Sequence, residues 1–269
     1  MIRRAAALAL ALAALGGCAP LRARFPGPDV LFVATPEAVS LEMLRVAGVT
    51  AEDAVFDLGS GDGRVVIAAA RDFGARGVGV EIDPGLVKDS RDAALAAGVG
   101  ERVTFLWQDL FATDLTGATV VTLYLRDDVN LKLRPKLLRE LAPGTRVVSH
   151  DFDMGDWRPD RVQRVQGPTR EHRLYFWRVP ADAGGVWRVR IGDREGTLAL
   201  TQRFQALEGT LTLDGRTAAL TGGRLAGTRI DVSAGALTFT GRVRGDAMDG
   251  TVSEAPSATP LPWTAARTR

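Results

Sequence analysis

Residues 55–64 read VFDLGSGDGR, a short apolar run that ends on an acid and opens into three glycines spaced two apart. Such a run reads as a strand entering a tight turn. Glycines at 59, 61 and 63 let that turn adopt positive φ angles and leave its backbone bare for a ligand to approach. The residues behind it, RVVIAAA, form a helix whose alanine-rich face can pack closely on a sheet. The core of this chain therefore opens with a strand–turn–helix unit of an α/β fold.

The spacing of the glycines narrows the ligand. A dinucleotide site uses GxGxxG, because a pyrophosphate must rest on backbone N–H groups at a helix N-terminus. Here the pattern is GxGxG, with Asp57 before it. A carboxylate beside the turn suits a ligand with positive groups, and S-adenosylmethionine carries a sulfonium and an ammonium. One glycine loop is a weak signal alone, but two more acids join it. The apolar stretch 77–80 ends at Glu81, 24 residues after Asp57, the distance that one crossover helix and its turns require. A carboxylate there can accept both ribose hydroxyls. The stretch 103–107 is followed by Asp109, placed to accept from the adenine amino group. Three acids after three successive parallel strands share one edge of the sheet, where ligands of open α/β sheets bind. Helix capping is the competing explanation for each acid singly.

The remaining elements alternate as βα units demand. Helices are predicted over 36–47, 63–72, 84–97 and 130–141, and strands over 55–57, 77–80, 103–107, 118–125 and 145–150. A hairpin-like pair, 161–166 and 172–179, follows. Beyond residue 185 strand-like stretches recur at 186–191, 197–204, 209–213, 218–220, 229–232, 237–243 and 250–252. Their short spacing, with Gly and Asp between them, predicts an antiparallel meander forming a small open barrel or curved sheet. It can serve as a docking module or as a stabilising appendage.

The segments FVATPEAVSLEML, DLGSGDGRVVIAAA, GVGVEIDP, VTFLWQDLF, ATVVTLYL and PGTRVVSHDF together resemble the class I S-adenosylmethionine-dependent methyltransferases. More narrowly, they resemble the small lysine methyltransferases related to the mitochondrial enzyme that acts on ATP synthase. The resemblance implies a Rossmann-like seven-stranded sheet and S-adenosylmethionine as cofactor. It implies that Asp57, Gly59, Gly61, Glu81 and Asp109 contact that cofactor, and that Thr35 and Pro36 cover it. Ala34 departs from the family, which usually has a proline before the Thr-Pro pair. The implied acceptor is a protein side chain, most simply a lysine amine.

Methyl transfer is an in-line displacement at a carbon already activated by the sulfonium, so the protein mainly orients the nucleophile and excludes water. No metal and no serine or cysteine nucleophile is called for. Residues after the fourth strand face the methyl group in this fold, which points to Tyr124. Its hydroxyl can orient an amine, or its ring can simply pack in the core. His150 ends the fifth strand and is the candidate base, or else it ties down the strand end.

The N-terminus adds a cellular context. Residues 1–17 carry Arg3 and Arg4, then an Ala/Leu run, then Gly16 and Gly17, a secretory signal too short to span a membrane. LGGC resembles a lipoprotein cleavage site, so Cys18, the single cysteine, is expected to become a lipidated N-terminus on the bacterial envelope, at the periplasmic face of the outer membrane. The expected organisation is a signal peptide over 1–17, a tether over 18–29, a methyltransferase domain over 30–181 and a β-domain with its tail over 185–269. Loss of Arg3 and Arg4 leaves 32 basic against 32 acidic residues, without the basic footprint of a nucleic-acid binder. A methyltransferase of proteins is the leading reading. A non-catalytic envelope lipoprotein that reuses the fold for binding is the alternative. An NAD-dependent dehydrogenase is disfavoured by the missing GxGxxG.

Overall fold

The computed structural model describes residues 32–254 and 259–268. The expected signal, Cys18 and tether lie outside the described residues.

Five parallel strands form the first sheet: β1 (Ala54–Leu58), β2 (Arg76–Glu81), β3 (Val103–Trp107), β4 (Val120–Leu123) and β5 (Arg146–His150). The hairpin of β6 (Arg161–Gln166) and β7 (Glu171–Arg178) completes it, in the order β3-β2-β1-β4-β5-β7-β6, with β7 antiparallel to both of its neighbours. This is the Rossmann-like seven-stranded sheet that the sequence implies. A parallel sheet must be covered on both faces. Helices α1 (Glu37–Ala47), α2 (Arg64–Phe73) and α3 (Pro84–Ala96) bury one face with Val55, Phe105, Val120 and Val148. Helix α4 (Asp127–Glu140) covers the other with Leu58, Val121, Leu123 and Val147. Consecutive residues Val120 and Val121 thus serve opposite cores, as the two-residue period of a strand requires. Strand order reverses at β1, which lies between β2 and β4, and that switch point opens the crevice of the fold.

Of the boundaries that differ from expectation, two bear on the site. Strand β4 ends at Leu123 rather than 125, so Tyr124 and Leu125 leave the ladder. Helix α4 starts at Asp127 rather than 130, because Arg126 is extended and its carbonyl accepts from Val129 and Asn130. Asp127 and Asp128 fill the first turn, where carboxylates oppose the helix dipole, a signal that apolar spacing does not carry.

The second sheet comprises β8 (Gly185–Ile191), β9 (Arg194–Arg203), β10 (Ala206–Leu213), β11 (Arg216–Ala226), β12 (Arg229–Ala234), β13 (Leu237–Arg244), β14 (Ala247–Ser253) and β15 (Leu261–Arg267). It is a closed barrel rather than an open one. Closure comes from β15, in the stretch expected to be a tail, which pairs with β14 on one side and β8 on the other. Trp263 and Ala265 of β15 point inward while Pro262, Thr264 and Ala266 point out, an alternation obscured by proline and alanine, which are poor strand formers. The interior is filled by Trp187, Ile230, Val232, Phe239, Met248 and Trp263, with Trp263 edge-on to Phe239.

The barrel meets the methyltransferase sheet through the turn between β9 and β10. Phe204, at φ +54°, stacks on Trp157, and the Arg134 guanidinium lies 5.2 Å from the centre of its ring. Buried Gln205 donates to the Arg158 carbonyl at 2.6 Å, and Arg224 and Arg203 pair with Asp160 and Asp156. The segment 151–160, which follows β5, is therefore held from the barrel side.

Candidate active site

The crevice at the carboxyl ends of β1, β2 and β4 is a cleft of about 240 Å³ whose walls include Phe32, Thr35, Asp57, Glu81, Asp109 and Tyr124. Asp57 is buried at the end of β1. Its Oδ1 accepts from the Thr122 hydroxyl at 2.7 Å, across the register that pairs the two residues. Burial raises its carboxyl to about 7; the Thr122 hydrogen bond opposes the shift, and the neighbouring Glu81 and Asp62 charges add to it. A buried acid held near neutrality is one whose anion lacks a compensating cation.

The glycine turn folds onto β2. Gly59 and Ser60 both donate to the Val80 carbonyl, and Gly61 donates to Glu81 Oε2 at 2.9 Å. Glu81 Oε1 accepts from Ile82 and Asp83. Three backbone donors thus fix this carboxylate at the mouth of the cleft. Gly61, at φ +53°, has no room for a side chain because Phe32 packs where its Cβ would stand. At Gly63, which begins α2 at φ +77°, a Cβ would lie 2.5 Å from the buried Phe105 ring. Asp109 Oδ1 accepts from Phe111 at 2.8 Å, which shapes the turn that carries Leu110 and Phe111 into the cleft wall.

Thr35 reaches the cleft from the N-terminal side. Its carbonyl accepts from Arg64, which Asp62 grips, so the segment before α1 is tied to the start of α2. Burial pushes the Asp62 carboxyl up, but the hydrogen bonds and charge of Arg64 outweigh it and leave the group below its ordinary value.

Tyr124 is half-buried and lines the cleft. His150 does not: it is 0% exposed and stacks beneath Tyr124 with ring centroids 3.9 Å apart. Its Nδ1 lies 3.2 Å from Thr35 Oγ1 and its Nε2 2.7 Å from His172 Nδ1. Burial, partly offset by Asp151, pushes its pKa down to about 4. The expectation of a base at the rim therefore needs correction: His150 lies outside the cleft wall, uncharged, with its ring against Tyr124 and its Nδ1 beside Thr35. Sequence reasoning also missed Thr122, Phe32 and His172. Only the strand pairings would have disclosed Thr122 and His172, and the first residues of the described chain carry no periodic signal for Phe32.

The donor set fits S-adenosylmethionine. Carboxylates of Asp57, Glu81 and Asp109 alternate with the apolar walls of Leu110, Phe111, Leu125 and Val129, as a cationic adenosyl ligand requires. A side chain at Gly61 would displace the Phe32 ring from the wall of the same cleft.

Fold and site together define an S-adenosylmethionine-dependent methyltransferase. The profile of the ANTKMT methyltransferase domain matches residues 57–161. A protein-lysine N-methyltransferase of Saccharolobus islandicus (strain REY15A) is 42% identical over 151 residues, 56% of this chain and 94% of that one. The adenine nucleotide translocase lysine N-methyltransferase of Mus musculus is 39% identical over 106 residues, 39% of this chain and 46% of the mouse enzyme. A solved structure described as an RNA methyltransferase from Salinibacter ruber, in complex with S-adenosyl-L-homocysteine, is 55% identical, with a TM-score of 0.54 over 56% of this chain and 95% of that one. The chain belongs to this methyltransferase family, and S-adenosylmethionine is its cofactor.

Proposed function

We propose that this chain is a protein-lysine N-methyltransferase. The observation that carries the reading is the 42% identity to the Saccharolobus enzyme across 94% of that protein. The cleft supports it: among the described residues that line it five are acidic and one, Arg64, is basic, a wall that attracts an amine. Bound cofactor supplies a methyl group activated by its sulfonium. Asp57 and Glu81 hold the cationic and ribose portions, and Leu110, Phe111 and Leu125 exclude water. Desolvation against Leu110, Phe111 and Leu125 lowers the pKa of an acceptor amine, and it must outweigh the pull of the cleft's carboxylates toward the ammonium. Tyr124, fixed by the His150 ring behind it, orients the neutral amine for in-line attack.

The name of the Salinibacter relative supports a second reading, an RNA substrate. Charge speaks against it: over residues 32–184 acidic side chains outnumber basic ones, 23 to 19, whereas nucleic-acid affinity rests largely on basic contacts to phosphate. Incubation of the full chain with methyl-labelled S-adenosylmethionine and either envelope protein or total RNA separates the two. The lysine reading expects protease-sensitive label recovered as methyl-lysine, and a loss of roughly tenfold or more in kcat for Tyr124→Phe, the scale of one general-acid/base or positioning contact. Label in nuclease-sensitive material refutes it.

The same proposal places the enzyme on the bacterial envelope, anchored through lipidated Cys18. Its support is the Arg3–Arg4, Ala/Leu and LGGC succession. Palmitate labelling that disappears in Cys18→Ser is the expected result; equal labelling of both forms, or none, contradicts it.

A further inference from the structure

His150, Asp151 and His172 form a cluster that the methyl-transfer chemistry leaves unused apart from the stacking of His150 on Tyr124. None of the three lines the cleft; they meet where the end of β5 lies beside the start of β7. Three ligand-type atoms face one another there: His150 Nε2 lies 2.7 Å from His172 Nδ1 and 3.3 Å from Asp151 Oδ2, and His172 Nδ1 lies 3.2 Å from the same oxygen. We propose that these three atoms form a structural binding site for one divalent transition-metal cation, with zinc the best match.

A tetrahedral ion about 2.0–2.1 Å from each ligand sets its ligands roughly 3.3 Å apart. Two of the three separations already have that value, and the third needs an opening of about half an ångström. Two imidazoles and one carboxylate are a donor set for zinc and its neighbours rather than for calcium or magnesium.

The surroundings are built for ligation. Asp151 adopts φ +61°, an uncommon conformation outside glycine, and this turns its carboxylate back toward the histidines. Backbone bonds hold it there: Asp151 N–H donates to the Arg173 carbonyl, and Arg173 N–H to Asp151 Oδ1 at 2.8 Å. Thr35 Oγ1 accepts from His150 Nδ1 in the tautomer that leaves Nε2 as a lone pair facing the cluster, the outer-shell arrangement of metal-bound histidine. In that tautomer, three acceptor atoms share at most one proton, which belongs to His172. Ligation through His172 Nδ1 moves that proton to Nε2, which is buried without a hydrogen-bond partner among the described residues, a cost that the bond to the ion has to outweigh. Asp151 is the least buried of the three, and the half-exposed Arg170 caps it. An arriving dication displaces this single guanidinium charge. The ion would staple β5 to β7 beneath Tyr124 and touch neither cofactor nor acceptor.

The test is calorimetric titration of the EDTA-stripped full-length protein with Zn²⁺, beside Asp151→Asn and His172→Gln. Binding of S-adenosylhomocysteine by the variants reports that they are folded. The expected result is one equivalent bound by the wild type, and affinity at least about 100-fold weaker in each variant, the upper end of what loss of even an outer-shell partner costs. Absence of stoichiometric binding to the wild type overturns the proposal, as does equal binding by the folded variants. Should a variant not fold, Co²⁺ loading of the wild type decides. Intense visible bands of a low-coordinate nitrogen–oxygen site support the assignment, and the weak bands of a solvated ion refute it.

Discussion

The two sheets of this molecule use the same apolar residues for different ends. In the seven-stranded sheet both faces are covered, so side chains along a strand serve two cores and the polar residues collect at the carboxyl ends. Asp57, Glu81 and Asp109 stand there, around the cleft. In the barrel one face is inside and the other outside, so polar residues spread along every strand and the interior is packed solid with Trp187, Phe239 and Trp263. The difference teaches where chemistry can reside. A sheet with a topological switch point leaves a crevice to furnish, whereas a small closed barrel is filled by its own side chains. The barrel's tie to function runs through its β9–β10 turn, which holds the segment after β5.

The comparison breaks if the regions are not separable in this way. The largest effect is expected at Trp263→Ala, which empties the barrel core and should cost about 3–5 kcal/mol of stability while leaving cofactor affinity within about twofold, a change under half a kcal/mol. Denaturant melts and calorimetry on the same samples check both halves. Asp57→Ala should do the reverse. Loss of its charged interaction weakens S-adenosylmethionine binding by about 2–3 kcal/mol, while the apoprotein changes stability by less than that, because relief of a buried acid without a cation offsets the orphaned Thr122 hydroxyl.

A pH titration sharpens the same point. Folding raises Asp57 from 3.8 to about 7, so between those values the folded apoprotein holds a proton that the unfolded chain has released. This group's contribution to stability is greatest in acid and declines as pH rises toward 7. Cofactor binding needs the anion, so affinity should fall as pH drops below about 7, with a limiting slope of about tenfold per pH unit. Asp57→Asn should flatten that dependence. The smallest effect is expected at Gln205→Ala, where loss of the bond to the Arg158 carbonyl costs about 1 kcal/mol. Its signature is faster amide exchange over 151–160 than in the wild type, and unchanged exchange there would disconnect the barrel from the site.

Much of the first region was legible because strand, turn and acid fall within a few residues of one another. The run from Val55 to Gly63 encodes its own conformation, and Glu81 and Asp109 repeat the strand-then-acid pattern one and two crossovers later. What stayed hidden depends on pairing across the chain. Thr122 becomes the partner of Asp57 only when β4 lies beside β1, and His150 leaves the rim only when His172 of β7 arrives beside it. The barrel's closure was illegible for a different reason. Leu261–Arg267 has a strand's alternation, written in residues of weak strand propensity, and two neighbours impose its conformation.

The central claim is that carboxylates at the strand ends of the first sheet bind S-adenosylmethionine and that the barrel takes no part in binding it. Calorimetry of the full chain with S-adenosylmethionine tests it most directly, beside Asp57→Ala, Glu81→Ala and Trp263→Ala. The account predicts one site, lost or strongly weakened in the first two variants and retained in the third. Binding that survives both acid substitutions, or that fails when only the barrel core is opened, would contradict it.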